Sequence, residues 1–262
     1  MIIDAHVHIY PDTIAKKASG SIGAFYEMPV LYDGSTGMLI QMCERAGVDK
    51  CVLCAVATAP GQVRAINKFL AKEKTRLGYA ALAALHPKMT PEALAQALDF
   101  AVAHGLRGAK LHPDFQRFRA DDPAVFFLYE ALAARGLPLL LHAGDSRYDF
   151  SSPQRIANTA KAFPSLTIVA AHLGGWSEWE SSARLLPGCG NVYVDSSSSL
   201  YGLTQEQARE IIWAFGANRV LFGTDYPMWD AADELRRLRG LGLEEDELQL
   251  ILYKNAQRLF FD

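Results

Sequence analysis

A single parallel α/β barrel, the (β/α)8 or TIM architecture, is what this sequence predicts, and three observations predict it. Eight short apolar runs alternate with helical patterns along 262 residues. Most of those runs are nearly continuous in apolar residues, as strands covered on both faces of a parallel sheet must be. Titratable residues then gather just where the runs end, which in such a barrel is the face that carries the site. A six-stranded doubly wound sheet is the competing architecture, but eight βα units in one chain of this length fit the barrel better.

In chain order the predicted strands are Ile2–Ile9, Lys50–Ala57, Leu77–Leu85, Gly108–His112, Leu137–His142, Leu166–His172, Val192–Ser196 and Arg219–Gly223. Helical patterns lie between them, among them Met38–Ala46 before Gly47, Pro91–His104 before Gly105, Pro123–Arg135 before Gly136 and Gln205–Phe215 before Gly216. Proline suits a first helical turn, where no N–H partner is needed, and glycine suits the left-handed residue just past the last turn. Thr90 and the pair Asp121-Asp122 stand ahead of Pro91 and Pro123, where capping side chains belong. Two stretches depart from alternation: Tyr10–Thr36 reads as a long loop after the first strand, and Leu243–Phe261 as extra helix after the eighth unit. No Ser/Gly linker, repeat or charge block divides the chain, so residues 1–262 read as one domain.

Composition narrows the function classes. A net charge of −3 and a pI near 6.2 offer no basic footprint for nucleic acid. No apolar stretch reaches the roughly 18 residues of a membrane span, and a strand directly after Met1 leaves no room for a signal peptide. A cytoplasmic protein acting on a small molecule is expected, with a homodimer as the assembly such barrels commonly adopt. Cys43, Cys51, Cys54 and Cys189 are too few and too irregular for a disulfide framework. Cys51-Val52-Leu53-Cys54 lies in a strand, where positions three apart face opposite ways, so buried reduced thiols are expected.

His6 and His8 leave the first strand on one side, with backbones about 6.5–7 Å apart, close enough to share a cation. Alone, His-x-His is weak; the rest of the chain strengthens it. His112, His142 and His172 end the fourth, fifth and sixth strands, Asp195 closes the seventh and Asp225 follows the eighth in Gly223-Thr224-Asp225. His86 reads as a hydrogen-bonding loop residue and His104 as a partner of a helix C-terminus. Asp195 reads equally as a turn cap or a site residue.

The ordered set Asp4-Ala5-His6-Val7-His8, Lys110-Leu111-His112-Pro113, Leu141-His142-Ala143-Gly144, Ala171-His172-Leu173-Gly174-Gly175 and Gly223-Thr224-Asp225-Tyr226-Pro227 resembles the amidohydrolase superfamily. Within it the similarity is to the amidohydrolase-2 group, which includes aminocarboxymuconate-semialdehyde decarboxylase-like enzymes. That resemblance implies a divalent metal held by His6, His8, His142 and Asp225, most often zinc, with His172 contacting the hydrolytic water or the substrate. Three imidazoles and a carboxylate independently suit Zn²⁺, and Mn²⁺, Fe²⁺ or Co²⁺ would accept the same donors. In binuclear relatives the strand-four lysine is carboxylated and bridges two metals. Here one metal is favoured, with Lys110 binding a substrate carboxylate alongside His112; Arg147 is a further candidate for that anion. The implied activity is hydrolysis of an amide, lactone or related carbonyl compound with Asp225 as proton shuttle. Decarboxylation is the alternative within the group, and a non-catalytic metal-binding barrel the alternative outside enzymes.

Overall fold

The computed structural model describes residues 1–262, and a ring of eight parallel strands organises all of them. The strands are β1 (Ile3–His8), β2 (Lys50–Cys54), β3 (in two pieces, Ala80–Ala81 and Ala83–Ala84), β4 (Ala109–Leu111), β5 (Leu139–Leu141), β6 (Ile168–Ala170), β7 (Val192–Asp195) and β8 (Val220–Leu221). Each pairs in parallel with its sequence neighbour. Across the break in β3, Leu82 N–H donates to Leu53 O and Ala83 N–H to Gly108 O, both at 2.8 Å. The seam between β8 and β1 is closed by Ala5 N–H to Phe222 O (2.8 Å), Asp225 N–H to His6 O (2.9 Å) and His8 N–H to Tyr226 O (2.8 Å). The predicted barrel is therefore present, with strands shorter than the apolar runs that announced them.

Two apolar layers hold the ring. Ile3, Ala5, Val52, Leu82, Leu140, Val169 and Leu221 fill its interior, and Ala256 and Phe260 of the C-terminal segment pack into the same cluster. The other strand faces pack on the surrounding helices in a cluster of 56 buried residues. Ala109 and Leu111 belong to that outer layer. Alternation therefore turns Lys110, between them, into the barrel. In β1 the alternation switches: Ile3 and Ala5 pack inside, whereas Val7 and Ile9 pack outside. A register shift between Asp4 and Val7 accounts for the switch and brings His6 and His8 to the inner side.

The helices are α1 (Asp12–Tyr26), α2 (Thr36–Ala46), α3 (Val63–Leu77), α4 (Pro91–Ala103), the single turn α5 (Pro113–Gln116), α6 (Phe126–Ala133), α7 (Pro153–Ala162), α8 (Trp179–Leu185), α9 (Gln205–Phe215), α10 (Ala231–Arg239), α11 (Glu245–Gln249) and α12 (Asn255–Phe260). Thr90 caps α4 by accepting the Ala93 N–H, and Gly47 closes α2 in the left-handed region. A π-helical turn, Leu250–Lys254, joins α11 to α12 in the extra helical segment expected after the eighth unit. The expected loop at Tyr10–Thr36 is corrected by the structure: most of it is α1, a 15-residue helix. Gly20 and Gly23 disguise it, because glycine opposes helix by roughly 1 kcal/mol each. All four cysteines are buried and unbridged. No helix is long and apolar enough to cross a membrane.

Candidate metal centre

At the carboxyl end of the barrel, His6, His8, Lys110, His112, His142, His172 and Asp225 line one small cavity of about 20 Å³. Every residue singled out in the sequence as catalytic or ligating reaches it, as do Lys110 and His112; the further candidate for a substrate anion, Arg147, does not. Within the cavity, three donor atoms converge. His6 Nε2 and His8 Nε2 lie 3.1 Å apart, and Asp225 Oδ1 is 3.5 Å from each.

The tautomer of His6 follows from its other nitrogen. Nδ1 lies 3.0 Å from Asp195 Oδ2, an acceptor, so Nδ1 carries the proton and Nε2 presents a lone pair to the centre. Two further lone-pair donors then face it at short range. Ligand atoms held about 2.0–2.1 Å from a tetrahedral zinc ion stand roughly 3.3–3.4 Å from one another, close to the separations found here. Burial, the largest influence, and the Lys110 charge hold the His6 imidazole well below its ordinary pKa. Burial and the neighbouring His6 do the same for His8. Neutral imidazoles are the form that binds a cation. Two buried imidazole nitrogens, His8 Nδ1 and His142 Nε2, have no hydrogen-bond partner. On this geometry the residues fit a small divalent cation.

The remaining predicted residues take distinct places. His142 stacks on His112 at 3.8 Å between centroids, and its Nδ1 is 2.9 Å from His172 Nε2. Its Nε2 lies 3.5 Å from Asp114 Oδ2, so His142 borders the cavity but stands with His112 and Asp114 rather than with His6 and His8. His172 Nδ1 is 3.1 Å from the Ser197 carbonyl, which can only accept, so its Nε2 is left as the acceptor toward His142. Burial lowers the His172 pKa to about 4. Lys110 Nζ donates to His6 Nε2 at 3.1 Å, which places the ammonium beside the ligand atoms, and burial lowers its pKa. His112 Nδ1 accepts the Phe115 N–H as a helix cap, and Nε2 meets the Tyr26 hydroxyl at 3.0 Å.

Arg147 is not available to a substrate anion. It is spent on Asp145 in a bidentate pair and on the Phe25 carbonyl, with its guanidinium 5.0 to 5.6 Å from the rings of Phe25, Tyr26, Tyr148 and Trp176. It pins α1 and the loop after β6 over the mouth. Asp195 serves both readings left open for it, capping the turn through the His172 and Ser197 N–H groups while orienting His6. His86 stays outside the cavity and accepts the Lys88 N–H. His104 caps α4, its Nδ1 donating to Phe100 O.

Asp225 is one of five residues that line two adjoining voids. A second void of about 20 Å³, lined also by Trp176, Ser198, Tyr201 and Trp229, adjoins the first and shares Tyr26, His142, His172, Asp225 and Met228 with it. Asp225 Oδ2 accepts from Ser198 Oγ at 2.7 Å, and that oxygen in turn accepts from Trp229 Nε1 at 2.9 Å. Burial, offset in part by the Ser198 hydrogen bond, pushes the Asp225 carboxyl up to about 7. Sequence reasoning missed Ser198 and Trp229; a run of four serines carries no periodic signal, and only the fold brings them to Asp225.

A family model described as Amidohydrolase matches residues 3–261. No curated protein is matched by the sequence. Among solved structures, an uncharacterised TIM-barrel protein of Bordetella bronchiseptica superposes with a TM-score of 0.81 at 20% identity, over 98% of this chain and 97% of that one. A dihydroxybenzoic acid decarboxylase of a Polaromonas species, with bound manganese and the inhibitor 2-nitroresorcinol, gives 0.73 at 17% over 98% and 96%. A Pseudomonas putida protein described as a 2-pyrone-4,6-dicarboxylic acid hydrolase gives 0.67 at 19% over 98% and 96%. At these identities the likeness establishes the barrel.

Proposed function

We propose that this chain, which belongs to the amidohydrolase family, is a metal-dependent hydrolase of a small carbonyl compound, an amide, ester or lactone. The observation that carries this reading is the position of Asp225, with Oδ1 against His6 and His8 and the residue lining both voids. His6, His8 and Asp225 would hold one divalent cation, and His142, which stands with Asp114 across the same cavity, would become the fourth donor on turning toward them; zinc best suits nitrogen-rich donors, and manganese is bound by the Polaromonas decarboxylase. When bound, such a cation supplies Lewis acidity and lowers the pKa of a neighbouring water from 15.7 toward about 7.

The chain's own residues do the rest. A void of about 20 Å³ accommodates one water beside Asp225, which is the minimum a hydrolytic nucleophile needs. Asp225 takes the proton of that water and later returns it to the leaving nitrogen or oxygen, the work of a general base turned general acid. Lys110 stands near enough to the cavity to balance negative charge developing on the carbonyl oxygen, while neutral His172, with its Nδ1–H on the Ser197 carbonyl and its Nε2 toward His142, fixes the His142 imidazole beside it. Asp195 and Ser197 keep His6 and His172 in the required orientations.

Decarboxylation is the second reading, favoured by the likeness to the Polaromonas enzyme. It would use the same Asp225 to deliver a proton to carbon, with Lys110 beside the departing carboxylate. Protein stripped of metal and reloaded with Zn²⁺ or Mn²⁺ should release acid from lactones, esters or N-acyl amino acids. CO₂ release from aromatic carboxylates without acid release would replace hydrolysis by the second reading. Tight cation binding with neither activity would make the barrel a non-catalytic binding protein.

A further inference from the structure

The helix α1 does not spend its apolar stripe on the core. Its buried residues are Ala15 and Ser19, whereas Ile14, Ala18, Ile22 and Phe25 fall at helical spacing on another face and line an open cleft of about 800 Å³. Ile14 remains 49% exposed, one of few large apolar side chains so left. Val56 beyond β2, together with Ala65, Ile66 and Phe69 of α3, forms the facing wall. An apolar surface of this extent on the catalytic face of a barrel calls for an apolar occupant. Its volume lies within the range of small-molecule sites, while the voids at the cation centre hold little more than a water each.

Cleft and centre adjoin, with Tyr10, Ile22 and Phe115 lining both. Charge is distributed along the cleft as well. Asp114, the one acid on its wall, is buried, with Oδ2 accepting from Ser151 and Oδ1 without a partner, whereas Lys17 and Arg117 are exposed at its rim. We propose that this cleft is the subsite for the tail of an amphiphilic substrate. The reactive carbonyl reaches the centre past Phe115, an apolar chain or ring lies against Ile22 and Phe69, and an anionic terminus meets Lys17 and Arg117. The inference rests on the reading of the centre given above for what lies at the other end of the molecule.

The test uses the full chain. Titration with decanoate, read by displacement of 1-anilinonaphthalene-8-sulfonate, should show one site per chain, with butyrate at least about tenfold weaker because each buried methylene contributes. Ala65→Trp, at an exposed helical position on the wall, should weaken decanoate about tenfold or more without moving the thermal midpoint. Lys17→Glu combined with Arg117→Glu should weaken decanoate but not decanol. In the zinc-loaded protein, KM for p-nitrophenyl esters should fall from acetate to octanoate, and Ala65→Trp should flatten the series. Decanoate affinity unchanged in Ala65→Trp overturns the proposal, as does a dimer that this substitution dissociates, since a second copy would then fill the cleft. No turnover of any ester would overturn hydrolysis, while the titration would still decide the cleft.

Discussion

Asp225 holds a left-handed backbone, φ 59°, and so do its partner Ser198 (48°) and the nearby His172 (61°). Such conformations cost non-glycine residues of order 1–3 kcal/mol, and they persist here because strand ends and hydrogen bonds on both sides over-determine them. Asparagine tolerates that conformation and keeps the shape of the side chain, so Asp225→Asn separates charge from fold. It should preserve the melting curve of the metal-free protein, weaken cation binding, and lower turnover by about 10²–10⁴, the usual worth of a positioned acid–base group. Calorimetric cation titration beside rate measurement checks both, and a rate within a factor of two of the parent would remove Asp225 from the chemistry. Glu234 offers a second test away from the centre. Its Oε1 pairs with Arg237, its Oε2 is buried without a partner, and burial pushes its carboxyl from 4.5 up to about 7. The folded state thus binds this proton more tightly than the unfolded chain. The associated stability is present in full below pH 4.5 and is lost as pH rises through about 7. Denaturant midpoints measured between pH 5 and 8 should therefore fall more steeply in the parent than in Glu234→Gln; parallel profiles would refute the assignment.

Turns and bulges, rather than strands, aim the site. The register shift in β1 is what lets His6 and His8 enter a barrel whose interior Ile3 and Ala5 also fill. Gly144, at φ 87°, performs a comparable service after β5: an added Cβ would stand 2.2 Å from the Trp176 backbone nitrogen, and the two residues form an isolated bridge. Gly144→Ala should destabilise the fold by roughly 2–4 kcal/mol, from backbone collision and a strained φ together, as read from urea midpoints. A loss below about 0.5 kcal/mol would mean the loops can part without cost. These elements also show where sequence is informative. The barrel was legible because parallel strands are buried on both faces and so write continuous apolar runs, and because His112, His142, His172 and Asp225 end those runs. The β1 shift left no mark, since a bulge depends on a partner strand, here β2, whose paired residues lie far along the chain. Helix α1 was hidden for a different reason. Its apolar stripe, Ile14, Ala18, Ile22 and Phe25, is present in the sequence, but Gly20, Gly23 and the polar residues between them outweighed it by propensity. The pairing of Arg147 with Asp145 was likewise beyond reach, because a charge two residues away on a loop can face in any direction.

For the whole molecule, the cation centre lies across the seam where the first and last strands meet. His6 and His8 belong to β1 and Asp225 follows β8, so one ion would tie together segments more than 200 residues apart in sequence. Without it, three backbone hydrogen bonds and the grip of Asp4 on Thr224, through N–H at 3.0 Å and Oγ1 at 2.6 Å, hold that join. Burial raises the Asp4 carboxyl to about 7, so this clasp lies in a low-dielectric setting where partners count for more. An ion bound by the folded barrel alone stabilises it by mass action, about 2.7 kcal/mol at a free concentration 100 times its dissociation constant. In a chain of this size each kcal/mol moves the melting point by roughly 2–4 °C. Chelation should accordingly lower the melting temperature by about 5–10 °C, and restored Zn²⁺ or Mn²⁺ should return it. His8→Ala should melt at one temperature with and without cation, because it removes a ligand while leaving the His8 backbone bond to Tyr226 in place. Lys74→Ala, on α3 and remote from the centre, should keep the full shift. If His8→Ala retained that shift, the ion would be bound elsewhere and the seam would be held by the polypeptide alone.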